Sequence, residues 1–306
     1  MSGVVVGFAI IVFVIVVGYV VARVGVGGPN AGFVLNRIAF FVTNPALLFT
    51  VLAKADLHVV FSSFVAIAAI AAIASAVLYV VASRLFFRRP AAETTLGALA
   101  SGYVNANNIG IPVAVYVLGN ASYVAPVLLL QLLIFAPTAL TVLDVTSRGS
   151  VSVGSILTQP FRNPMIIASV AGVIVALTGV TLPQAVFEPF VLLGGAAVPL
   201  VLMAFGMSLR GSKPLRAGSG RTEILVASLL KSVIMPVLAY LVAHFVFGLS
   251  GSGLLAAVVL AALPTAQNVY NFSSRYERGE TMARDTVLLT TILAIPVLVI
   301  IAALLA

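Results

Sequence analysis

The sequence predicts an all-α integral membrane protein. It is expected to have ten transmembrane helices in two inverted five-helix repeats, with broken helices 4 and 9 crossing at the midplane. Three observations carry this prediction. Of 306 residues, 62% are hydrophobic and 8% charged, whereas a soluble domain carries roughly 25% charged residues. The apolar residues gather in long continuous runs, not in the short alternating segments of a membrane barrel. Two of the runs are interrupted by carboxamides and helix breakers, groups that lipid cannot hydrogen-bond.

The elements follow in order. Span 1 covers about 4–22. Met1-Ser2-Gly3 supplies no basic n-region and the run is too long for a signal-peptide core, so it is a spanning helix. Span 2, about 31–52, follows Pro29 and contains Pro45; span 3 covers about 59–85. Span 4, about 94–118, carries Asn105-Ala106-Asn107-Asn108-Ile109-Gly110-Ile111-Pro112 at its centre. Gly110 costs backbone entropy in a helix, and Pro112 removes a donor and crowds the preceding turn, so both are expected at the break. Span 5, about 122–143, contains Gln131 and Pro137; span 6 covers about 163–178. Span 7, about 183–209, contains Pro183 and Pro199, and span 8, about 223–247, contains Lys231. Span 9, about 253–272, holds the second polar interruption, Pro264-Thr265-Ala266-Gln267-Asn268; span 10, about 282–305, contains Pro296.

Proline spacing supplies the repeat. Pro29 and Pro45 are separated like Pro183 and Pro199, and Asn105 and Pro137 like Pro264 and Pro296. The first repeat is 1–146, the linker 147–161 is cytoplasmic, and the second repeat is 162–306. An odd number of spans per repeat inverts the second half, an arrangement common in secondary transporters.

Basic residues set the orientation. Thirteen follow odd-numbered spans, among them Arg84, Arg88, Arg89, Arg162, Lys213, Arg216 and Arg278, against Lys54 alone on the other side. The positive-inside rule then puts both termini outside a cell (inner) membrane. The net charge of +8 is read as this topology and not as affinity for nucleic acid. With no cysteine, neither a disulfide nor a thiolate metal site can form.

The candidate substrate-binding residues are Asn105, Asn107, Asn108, Gln267, Asn268, Gln131 and Lys231, with Gly110, Pro112 and Pro264 shaping the crossing. Carboxamides donate to a carboxylate and accept from water or a cation, and half-helix N-termini favour anions. Lys231 lies roughly 15 Å into a core about 30 Å thick. The acidic residues, Asp56, Glu93, Asp144, Glu188, Glu223, Glu277, Glu280 and Asp285, all sit near span ends. Lys231 therefore faces a wet cavity, caps carbonyls of a broken helix, or meets an anionic substrate. Arg37 is an interfacial anchor or a path residue, His244 is interfacial, and Gln131 stands opposite Thr290 in the repeat register. Enzyme signatures such as H-E-x-x-H and G-x-S-x-G are absent, and Gly-Ser-Gly-Arg-Thr at 218–222 lacks the strand and lysine of a phosphate loop.

Asn36-Arg37 with Pro45, Asn105 with Gly110-Ile111-Pro112, Ala262-Leu263-Pro264 with Tyr276, and Ile295-Pro296 together resemble the auxin efflux carrier family, related in fold to bile acid:sodium symporters. The resemblance covers nearly the whole chain. It implies a scaffold of helices 1, 2, 6 and 7, which can form a homodimer, and a transport domain of helices 3–5 and 8–10. It also implies crossover roles for Asn105, Pro112 and Pro264, and an elevator-type movement of a small organic anion, a mono- or dicarboxylate or an auxin-like acid. Asn107 and Asn108 depart from the small, apolar residues usual there, which points to a more polar substrate. No cofactor is expected beyond a coupling ion, Na+ or H+. A sodium-coupled symporter of bile-acid-like anions and an anion channel or uniporter stay open.

Overall fold

The computed structural model describes residues 2–54, 63–148, 164–211, 215 and 220–305. Most of the linker, with Asp56, Arg162, Lys213 and Arg216, lies outside the described residues, as do Gly218 and Ser219. The described residues form helices α1 (Ser2–Val24), α2 (Ala31–Ala53), α3 (Ser63–Phe87), α4 (Ala91–Gly102), α5 (106–116), α6 (Ala121–Thr146), α7 (Pro164–Thr178), α8 (Gln184–Met207), α9 (Arg221–Val246), α10 (Gly251–Ala261), α11 (Gln267–Tyr276) and α12 (Glu280–Leu305). Six of them, α2, α3, α6, α8, α9 and α12, are long and apolar enough to cross a membrane, and α7 and α10 are shorter apolar helices. Large apolar side chains such as Phe13, Phe41, Ile73, Leu192, Phe245 and Leu304 are exposed, as expected where lipid is the solvent.

The interruptions expected in spans 4 and 9 are present. The chain leaves the helix at Tyr103–Asn105, between α4 and α5, and again between α10 and α11 around Pro264. The first break lies upstream of where Gly110 and Pro112 were expected to make it. Gly110 has helical dihedrals, φ −64 and ψ −43. A Cβ there would sit 2.8 Å from Leu263 Cδ1, so glycine is needed for a close approach to the other break and not for a turn.

Pro112 does deform its helix, in a different way. Residues Ala106–Gly110 form a π-turn, with Gly110 N–H donating to Asn105 O at 2.9 Å. Three other π-turns, Ala39–Thr43, Gln131–Phe135 and Leu230–Ile234, likewise end two residues before a proline: Pro45, Pro137 and Pro236. The cause is local. A proline ring collides with the carbonyl four residues back, and widening the preceding turn relieves the collision while keeping most backbone groups bonded.

Two packing groups emerge. Helix α1 packs along the second half of α8, and the end of α2 packs on α7 and the first half of α8. Helices α3, α4, α6 and α9–α12 pack chiefly on one another, while α5 touches both groups through α1 and α8. In the first group Gly18 faces Met203 O and Gly206 faces Ile15 O so closely that any Cβ would collide with backbone. Such small-residue contacts let membrane helices approach without a hydrophobic driving force.

Candidate functional site at the helix crossing

The two breaks meet. Val104 and Thr265 form an isolated antiparallel bridge: Asn105 N–H donates to Pro264 O at 2.7 Å and Ala266 N–H to Tyr103 O at 3.0 Å. Each interruption thus satisfies the backbone groups freed by the other, which water would do in a soluble protein. Pro264 fits because its carbonyl is needed and its N–H is not.

Side chains complete the pairing. Gln131 Nε2 donates to Val104 O at 2.9 Å, and Thr290 Oγ1 accepts from Thr265 N–H at 3.1 Å. Gln131 and Thr290, opposite one another in the repeat register, therefore serve the two partners of one bridge. Thr265 Oγ1 donates to Ala100 O at 2.6 Å, which ties the second break to the end of α4. Asn105 caps α5, its Oδ1 accepting from Asn108 N–H at 3.0 Å.

A cavity opens beside the bridge, with about 410 Å³ of atom-free space, part of it continuous with the outside. It is lined by six of the predicted carboxamides: Asn105, Asn107, Asn108, Gln131, Gln267 and Asn268. Tyr103 also lines it, while Phe40 of α2 closes one side. Among the described residues, no Asp, Glu, Lys, Arg or His lines the cavity. The first turns of α5 and α11 do, so what this wall offers a ligand is amide dipoles and peptide N–H groups, a polar but uncharged surface suited to an anion.

Lys231 lies elsewhere. It is fully buried, its Nζ donating to Ala261 O at 2.7 Å and lying 3.3 Å from Met235 Sδ. Of the three roles the sequence left open, the geometry gives the capping of a broken helix: Ala261 is the last residue of α10, where carbonyls lack intrahelical partners. Arg37 is exposed and lies against the Phe33 and Phe41 rings, 5.7 and 5.6 Å from their centroids, away from the cavity. His244 is exposed, stacked on Tyr240.

Sequence reasoning missed Asn44. It is 1% exposed, sits in α2 just before Pro45, and donates through Nδ2 to Asn107 Oδ1 at 2.8 Å. Asn107 Nδ2 in turn donates to Asn108 Oδ1 at 2.8 Å, and Asn108 Nδ2 to Gln267 Oε1 at 3.2 Å. Four carboxamides thus form one chain of like direction from α2 through α5 to α11. The signal was available: a carboxamide deep in an apolar run is as costly at position 44 as at 105.

Three comparisons bear on this site. Residues 4–302 match a family described as membrane transport protein. A protein of Rhizobium meliloti (strain 1021) named "Putative malonate transporter" is 28% identical over 291 residues, covering 92% of this chain and 89% of that protein. An "Uncharacterized transporter" of Methanothermobacter thermautotrophicus is 27% identical over 296 residues, covering 93% of each.

Proposed function

The chain belongs to the membrane transport protein family, the auxin efflux carrier family its motifs resemble, and from that premise we propose that it is a secondary transporter for a small organic anion. As a member of a transporter family it is no enzyme. The observation that carries the proposal is the Val104–Thr265 bridge with its flanking cavity of six carboxamides. A buried polar cavity between two interrupted helices serves no structural need that two continuous helices would not meet at less cost.

Asn105, Asn108, Gln267 and Asn268 contact the substrate, Gln131 holds the bridge, and Lys231 braces α10. The substrate is a mono- or dicarboxylate, with malonate the first to try, as the name of the Rhizobium meliloti relative commends. Alternating access comes from an elevator-type displacement of α3–α6 and α9–α12 against a scaffold of α1, α2, α7 and α8. The two packing groups support this division. Ten spans in two inverted repeats, with both termini outside, is the topology proposed, and the corresponding breaks between α4 and α5 and between α10 and α11 support it.

Purified protein in liposomes tests the reading through uptake of labelled malonate, malate, acetate and an indole acid under separate sodium, proton and voltage gradients. Saturable uptake that Asn105→Ala or Asn108→Ala weakens is expected. Uptake that never saturates points to a channel, and equal uptake by empty liposomes ends the reading. The dependence on each gradient identifies Na+ coupling, H+ coupling or uniport.

A further inference from the structure

Two buried polar atoms of opposite kind, one in the cavity lining and one beside it, have no partner. Asn105 Nδ2 is a buried donor without a partner, and Asn44 Oδ1 is a buried acceptor without a partner. Both residues are almost wholly inaccessible, 3% and 1% exposed. Natural proteins rarely leave buried polar atoms unbonded, so each one asks for an absent partner. Asn105 lines the cavity directly. Asn44 lies one turn beyond Phe40, which lines it, and is bonded to Asn107, which lines it too. In the structure Asn44 gives Nδ2 to Asn107, and each later Nδ2 is given onward to Gln267, which leaves the oxygen at the α2 end.

Among the described residues, the cavity lining is also uncharged, and the described ionisable side chains on the helices around it do not line it. Lys54 lies over the Phe187 ring at 4.6 Å, and Arg37 rests on Phe33 and Phe41. Glu93 pairs with Arg89, Asp144 accepts from Tyr276 Oη at 2.7 Å, and Lys231 is bonded to Ala261 O. Arg23 sits in the last turn of α1 and Glu188 near the start of α8, neither of them among the lining residues. Amide dipoles can offset one negative charge taken out of water. A second charge, with no cation to meet it, faces the full desolvation cost.

Building on the transport reading above, we propose that the crossing selects a singly charged acid that also carries one hydrogen-bond donor, so that a dicarboxylic acid is taken in its monoprotonated form. The carboxylate accepts from Asn105 Nδ2, and the acid hydroxyl donates to Asn44 Oδ1. A proton then crosses with each dicarboxylate although the protein supplies no titrating group for it. Hydroxy acids, with one carboxylate and one hydroxyl, satisfy the same two valences. Simple monocarboxylates satisfy only the first.

The test uses the full-length protein in liposomes, with labelled malonate and its monomethyl ester, a monoanion without the donor. External pH is varied from about 5 to 8 at fixed voltage. Above the second ionisation of malonate its monoanion falls about tenfold per pH unit. The apparent KM for total malonate is expected to rise in step, staying constant within about twofold when reckoned as the monoanion. The half-ester should be taken up with a KM that is flat in pH and about tenfold weaker than that of the malonate monoanion. In Asn44→Leu the two KM values should converge. A KM for total malonate that is flat with pH overturns the inference and leaves the transport reading standing. So does half-ester uptake that falls with pH in parallel, which would put the proton on the protein. No saturable uptake of either acid at any pH removes the transport reading and this inference together.

Discussion

Lys231 Nζ donates to the carbonyl of Ala261 at 2.7 Å, thirty residues along the chain and on another helix. This bond places a buried amino group on the negative end of α10, where the helix dipole favours a donor, and away from the cavity. Lys231→Met keeps the stem's volume and removes the bond. Leaving the buried Ala261 carbonyl without its partner costs about 1–3 kcal/mol, so the melting temperature should fall while the substrate KM stays within about twofold. A KM raised more than tenfold at unchanged melting temperature would return Lys231 to the substrate.

Asn105 does two jobs with two atoms, and they can be separated. Its Oδ1 caps α5, and Nδ2 is free for a ligand. Asn105→Ala loses both and should cost about 1 kcal/mol of stability. Asn105→Ser keeps a capping oxygen. It should restore most of the melting temperature but not the uptake. Full uptake by the serine variant would show that the amide nitrogen is dispensable.

The bridge makes a paired prediction. Gln131→Leu strips Val104 O of its partner, and Thr290→Val does the same to Thr265 N–H. Each leaves a buried backbone group unsatisfied, at roughly 1–3 kcal/mol. Because both act on one bridge, the double variant should fall short of the sum of the singles. Thermal denaturation of the four proteins in one detergent measures the coupling, and simple additivity would mean that the two ends are independent.

Two glycines separate backbone collision from side-chain crowding. A Cβ on Gly102 would stand 2.6 Å from Ala72 O, which is backbone and cannot yield, whereas one on Gly110 meets side-chain ends, Leu263 Cδ1 and Val124 Cγ2. Gly102→Ala should abolish folded, monodisperse protein on size exclusion. Gly110→Ala should express and lose stability on the order of 1–3 kcal/mol, the usual range for overpacking. Similar behaviour of the two would mean that α3 and α4 can part freely.

Much of this protein is written locally. Long apolar runs fix where helices form, because each costs free energy anywhere but in lipid or a core. Carboxamides and prolines inside those runs at 105–112 and 264–268 announce that two helices cannot be plain spans. The break itself was misplaced by several residues for a local reason as well. Pro112 widens the turn before it and leaves the helix intact, so the chain departs at Tyr103–Asn105, where the bonds to Pro264 and from Ala266 are available. That departure cannot be read from either segment alone.

The sequence by itself determined the class, the helical runs and the polar groups that must find partners. Only the tertiary structure decided which partners they find. Asn108 and Gln267 are 159 residues apart and Asn44 and Asn107 are 63 apart. Lys231 had three permissible answers until α10 ended beside it. The physical reason is that burial cost is a property of one residue, whereas its relief is a property of two. Hydropathy and helix-breaking chemistry fix the first, and the packing of the whole bundle fixes the second.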